Sequence, residues 1–359
     1  MKLVPARNPP NPWESHHVEY FGEAPSIDVV VYEDHSKGIL AENDSPDVGF
    51  RWSLNPYRGC GHACAYCYAR PSHEYLGFGA GTDFDRRIVV KPKAPELLRQ
   101  AFDKKSWVGE LVMFSGNTDC YQPLEASYRL TRGCLEVCAE YGNPVYVITK
   151  AALVERDVDV LQSLQKEARV GVTLSIPFWN ADHARAIEPY VPTPRRRMQA
   201  VRKLSAAGID VNVNVAPVIP GLNDRQIPSI LEAAADAGAK TAAMVMLRLP
   251  GPVKQVFEER LRAALPLSVE KVLARTRETR GGKLNDPRFG SRMTGEGVYA
   301  DAIKKLFETT AERLGLKIGN GASGAPSSLR ARDDDEPTTF RRPLAKGPQL
   351  ELFRLALFK

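Results

Sequence analysis

From residue 50 onward, short apolar runs alternate with longer stretches in which apolar residues recur every three or four positions. The short runs cover 50–54, 110–115, 144–149, 170–176, 210–218 and 241–247. Their length and β-branched content predict strands. The helical period appears near 95–103, 124–141, 153–167, 194–207 and 226–237. Strands that alternate with helices predict parallel βαβ units. The fold class is therefore α/β, as a full or partial barrel or as an open doubly wound sheet.

The flanks read differently. Residues 1–48 are rich in Pro, Asn, Asp and Glu with little period, and are expected to be a lead-in to a core over 49–250. Residues 251–318 look mostly helical and are expected to be a C-terminal extension, interrupted at Arg280-Gly-Gly-Lys283. Residues 319–359 begin with a Gly-, Ser-, Pro-, Arg- and Asp-rich stretch that has little to bury, and are expected to form a disordered tail. No apolar run of about 18 residues predicts a membrane span. The N-terminus lacks the apolar centre of a signal peptide, so a cytoplasmic location is expected.

With 43% hydrophobic and 26% charged residues the composition is that of an ordinary globular protein. The net charge of +6 permits a nucleic-acid partner without requiring one. Arg195, Arg196 and Arg197, with Arg275, Arg277, Arg280, Arg288 and Arg292, are candidate phosphate contacts, although nearby glutamates also suit solvated helix faces.

In parallel α/β folds the working residues lie at the C-terminal ends of strands. Cys60-Gly-His-Ala-Cys64-Ala-Tyr-Cys67 follows the first expected strand, Asn117-Thr118-Asp119 the second, Lys150 the third and Ser175 the fourth. In a reducing compartment three cysteines in eight residues read as metal ligands of one centre. Three thiolates leave one iron of a cubane without a protein ligand. A zinc site completed by His62 is an alternative. Cys134 and Cys138 lie one helical turn apart on an apolar stripe and read as core.

The string Asn55-Pro-Tyr-Arg-Gly-Cys60 through Cys67-Tyr-Ala-Arg70, with Thr118-Asp-Cys-Tyr-Gln-Pro-Leu-Glu125 and Arg280-Gly-Gly-Lys283, resembles the radical S-adenosylmethionine (SAM) superfamily. Within it the chain is similar to the spore photoproduct lyase-like branch. The resemblance implies a partial (β/α)6 barrel with a helical C-terminal extension. It implies a [4Fe-4S] cluster on Cys60, Cys64 and Cys67. SAM would chelate the open iron and be cleaved reductively, and the 5′-deoxyadenosyl radical would take hydrogen from a substrate. It further implies SAM contacts from Tyr66, Thr118, Asp119, Lys150 and Ser175, and an electron donor such as flavodoxin or ferredoxin. Cys120 is a candidate hydrogen donor, although the position matching the lyase cysteine is Asn117. A DNA lesion or modified nucleotide is the expected substrate. A protein or small-molecule substrate, and a non-catalytic zinc-stabilised binding module, are the alternatives. Near the C-terminus Gln349, Leu350, Glu351, Leu352 and Phe353 resemble the peptide that docks repair proteins on the DNA sliding clamp.

Overall fold

The computed structural model describes residues 29–319 and 338–343. Eleven strands form two sheets among the described residues. They are β1 (Val30–Glu33), β2 (Leu40–Glu42), β3 (Trp52–Leu54), β4 (Tyr57–Arg58), β5 (Arg87–Val90), β6 (Val112–Phe114), β7 (Val145–Thr149), β8 (Val170–Ser175), β9 (Val211–Val218), β10 (Thr241–Met246) and β11 (Lys317–Ile318). The large sheet runs β2-β3-β6-β7-β8-β9-β10-β11. From β3 to β10 every pairing is parallel, and helices fill the crossovers. This is a partial (β/α)6 barrel. The edges stay separate, because β2 lies antiparallel on β3 and β11 lies beside β10.

The apolar runs became strands because both faces are covered. In β8 all six residues are buried. The outward side packs on helices in the main core, which includes Phe114, Val147, Leu164, Val213 and Ile230. The inward side carries a polar string: Tyr146 and Thr173 share a hydrogen bond of 2.6 Å, and Asn212 donates to the Tyr146 hydroxyl at 2.9 Å.

Three expectations change. The 124–141 helix is two helices, Glu125–Tyr128 and Leu130–Tyr141, joined at Arg129 with φ +52°. The buried Glu125 carboxylate accepts from the backbone of Thr131 (3.0 Å) and Arg132 (3.3 Å), so it caps the second helix and forces the break. The stretch read as an aperiodic lead-in contributes β1 and β2. The stretch read as a tail over 319–359 is docked at residues 338–343. Phe340 stacks on Tyr141 (6.0 Å) and meets Phe102 edge-on (5.8 Å). Arg342 donates to the carbonyls of Phe102 (3.1 Å), Lys104 (2.6 Å) and Trp107 (3.0 Å). Phe340 and two arginines, Arg342 and Arg341 (which pairs with Glu167 at 2.7 Å), anchor this strap within a segment too polar to read as structured. Gly109, at φ +81°, lies so close under Phe340 that a Cβ there would overlap the ring. The clamp-like peptide at 349–353 lies outside the described residues.

Residues beyond 251 build part of the site. Helix Val253–Ala264 packs on helix Ala181–Ile187, and a second apolar cluster joins Phe257, Val272 and Ile187 to Cys64, Ala65 and Tyr66. Among the described residues no helix is long and apolar enough to cross a membrane.

Candidate functional site

The cysteine loop leaves β4 through Gly59, whose φ of +75° places it against Phe84 and His73. A Cβ would meet the Phe84 carbonyl at 2.9 Å, so glycine is required. Cys60 then donates its backbone N–H to the same carbonyl at 2.9 Å. Tight turns follow, with Ala63 bonded to Cys60 (3.2 Å) and Cys67 to Cys64 (3.3 Å). The loop is gripped from outside. Gln122 bonds Gly61 and Gly59, each at 3.0 Å. Arg70 donates to the Cys64 carbonyl at 2.8 Å and Arg260 to the Ala63 carbonyl at 2.6 Å, and both guanidinium groups share the Asp85 carboxylate.

Cys60 and Cys64 are buried and Cys67 is partly so. Burial pushes all three thiols up, and for Cys60 the neighbouring Asp119, Cys67 and Cys64 push further. Three adjacent thiolates in a dry site repel each other unless a cation lies between them. The donor set therefore fits an iron–sulfur cluster. A single zinc fits poorly. Among the described residues no three His, Cys, Asp or Glu side chains converge on one ion. His62 instead places Nδ1 3.4 Å from Asp119. A cubane takes one thiolate per iron and does not ask for convergence.

Beside the loop, Lys150 Nζ lies 5.7 Å over the Tyr66 ring. Burial pulls the Lys150 pKa down, but Cys64, Glu188 and Asp119 outweigh it and keep the ammonium charged. The Tyr66 hydroxyl donates to Glu188, Glu188 pairs with Arg197 at 2.7 Å, and Arg197 donates to the Ser175 carbonyl at 2.7 Å. The structure thus brings Tyr66, Lys150 and Ser175 together. Glu188 and Arg197 were missed as site residues. Both side chains are fully buried; Arg197 lies on an expected helix among the candidate phosphate contacts, and Glu188 lies outside every expected element. Opposite Ser175 in register stands Asn214, whose buried Oδ1 has no hydrogen-bond partner.

Thr118 and Asp119 are committed elsewhere. Thr118 donates to the Tyr57 carbonyl at 2.6 Å. Asp119 accepts from Thr149 Oγ1 (2.6 Å), Lys150 N (2.8 Å) and Tyr121 N (2.9 Å). Burial opposes the Asp119 charge, but His62 and these donors hold its pKa near 2. Asp119 is a clasp between the β6 loop and the end of β7. Cys120 is a correction: it is fully buried in the main core with Phe114, Cys134 and Leu135, on the helix side of the sheet, so it does not reach the barrel interior as a hydrogen donor. Most candidate phosphate arginines are also occupied. Arg196 pairs with Glu155, Arg275 with Glu278, Arg288 with Asp286, Arg292 with Asp47, and Arg280 holds backbone carbonyls of Leu247 and Ser291.

A partial parallel barrel with this three-cysteine loop at its open end defines a class. Residues 54–234 match the family model of the radical SAM superfamily, and the chain belongs to that superfamily. It is similar to an uncharacterized protein of Mycobacterium tuberculosis (strain ATCC 25618 / H37Rv), at 39% identity over 58% of this chain and 62% of the relative. It is similar to an uncharacterized protein of Acidianus two-tailed virus, at 30% identity over 58% of this chain and 71% of the relative. The chain thus spans 62% of the length of its mycobacterial relative. The solved structure of spore photoproduct lyase complexed with dinucleoside spore photoproduct superposes with a TM-score of 0.57 at 16% identity, covering 81% of both chains. That likeness is one of fold.

Proposed function

We propose that this chain is a radical SAM enzyme that binds a [4Fe-4S] cluster and SAM and removes hydrogen from a nucleic-acid substrate, either a DNA lesion or a modified nucleotide. The observation that carries the reading is the buried three-thiol loop at the open barrel end, with the charged Lys150 beside it. Cys60, Cys64 and Cys67 would hold the cluster, which when bound supplies an open iron and one-electron reduction. Lys150 offers a cation to a carboxylate. Ser175 and Asn214 offer polar groups at one level of the barrel, and Tyr66 is oriented by Glu188. The surrounding apolar cluster, with Phe178, Leu249 and Phe257, keeps water from the site. The nucleic-acid part draws on the lyase of similar fold, which was solved with a dinucleoside photoproduct. An external reductant such as flavodoxin or ferredoxin completes the reading.

Anaerobic purification tests it. The expected protein is brown, absorbs near 400 nm and carries about four irons per chain. With reductant and SAM it forms 5′-deoxyadenosine, and with deuterated damaged oligonucleotides it moves deuterium into that product. A colourless protein with one zinc would overturn the reading.

A further inference from the structure

Arg248, at the open end, forms no ion pair and no hydrogen bond to an oxygen among the described residues. It stands two residues past the end of β10, half-buried. Its Nε has no hydrogen-bond partner, and its Nη1 reaches only the Met293 sulfur, at 3.7 Å. Among the described residues no carboxylate lies within ion-pair distance of it. Of the nearest charges, Arg292 opposes the Arg248 charge and Asp47 favours it only from beyond ion-pair distance. The Asp47 carboxylate is taken by Arg292 and by the Gly290 N–H at 2.6 Å. Removing a guanidinium from water without a partner is costly. A position that tolerates this suits an anion that arrives with a ligand.

Aromatic faces adjoin the charge. The Arg248 guanidinium lies 5.9 Å over the ring of Tyr68, the residue directly after Cys67. Tyr68 is 49% exposed, and its hydroxyl is fixed to the Gly116 carbonyl at 3.0 Å. Behind Arg248, Arg292 covers Phe289 at 4.3 Å, and Phe289 is 60% exposed. A planar guanidinium matches phosphate oxygens in pairs, and exposed rings beside it stack unpaired bases.

We propose that Arg248 is a phosphate-binding residue of the substrate site, gripping a phosphodiester of an unpaired nucleic-acid segment while Tyr68 stacks an adjoining base. This rests on the nucleic-acid reading above and narrows it to strands whose bases are unstacked. Double-stranded regions present no free base faces to Tyr68.

The test is fluorescence anisotropy of a 5′-fluorescein oligothymidylate with the anaerobically reconstituted full chain across a salt series. For Arg248→Gln the expected loss is about tenfold at low salt, with the slope of log K against log salt shallower by about 0.7. Arg248→Lys should keep the wild-type slope. Tyr68→Leu should weaken binding about tenfold with the slope unchanged. Iron content and melting temperature report whether each variant folds, and Tyr68→Leu carries the test if Arg248→Gln does not. Wild-type affinity and slope in Arg248→Gln would overturn the phosphate contact and leave the nucleic-acid reading standing. Tighter binding of the same sequence as a duplex would overturn the unpaired-strand assignment. No wild-type binding of either form at low salt, with capture of a polyglutamate peptide instead, would overturn both.

Discussion

At the N-terminal ends of β6 and β7 the polar atoms satisfy one another, whereas at the C-terminal ends of the same sheet several are left without partners. At the closed end Trp107 donates to Asn143 (2.9 Å), Asn143 donates to the carbonyls of Glu110 (3.1 Å) and Pro144 (3.0 Å), and Tyr141 donates to Asp103 (2.8 Å). Stacked rings of Phe102 and Trp107, 5.2 Å apart, lie beneath the 338–343 strap. At the open end Asn214 Oδ1 and the Nε atoms of Arg197, Arg248 and Arg260 are buried without partners. An unsatisfied buried polar atom costs about 1–3 kcal/mol. Arg197 and Arg260 spend their other nitrogens on the loop and strand ends, whereas Asn214 Oδ1 and Arg248 are left open to a ligand, at the end where parallel barrels carry their chemistry.

That division between the two ends is broken most directly by losing one of the three proposed cluster ligands. Cys64→Ala should remove nearly all iron and all 5′-deoxyadenosine formation, read by iron assay and chromatography, while the fold survives by circular dichroism. Phe102→Ala, at the closed end, should do the reverse. Phe102 is fully buried, so truncation should destabilise by about 3–5 kcal/mol in urea unfolding, with iron per folded chain unchanged. Loss of iron in Phe102→Ala would mean that the ends are coupled.

The open end should also be the acid-sensitive one. His73 is fully buried beside the cysteine loop, and its Nε2–H donates to the Arg87 carbonyl at 2.8 Å. Burial lowers its pKa from 6.5 to about 4. The unfolded chain therefore takes the proton first. The stability is complete above pH 6.5 and is lost as the pH falls toward 4, by about 3 kcal/mol in all. His73→Gln keeps a donor and cannot titrate. Its unfolding free energy should fall less steeply than that of the wild type between pH 6.5 and 4.

The strands, and the positions of the cysteine loop, Lys150 and Ser175 at strand ends, were legible because periodicity and local spacing encode them. What escaped depends on contacts distant in sequence. Arg197 suits a solvated helix face and Glu188 carries no local signal until the barrel closes them onto Tyr66 and Ser175. Arg260 lies 197 residues from the Ala63 carbonyl it holds. Conversely, Asp119 and Cys120 sit at the right strand end for chemistry, yet the turn directs one into a clasp and the other into the core.

The strap offers the smallest and most selective test. Phe340 is only partly buried, so Phe340→Ala should cost less than Phe102→Ala, about 1–2 kcal/mol. Most of that is the lost ring contact with Tyr141 and Phe102, since the backbone bond from Arg341 to Tyr141 (2.8 Å) does not need the side chain. Proteolysis should become faster near residue 340 while cluster content and oligonucleotide affinity stay at wild-type values. The strap crosses only the end where polar groups are already paired. A shift in oligonucleotide affinity would show that closed-end packing reaches the open rim through β6 and β7, and would end the claim that the two ends can be altered separately.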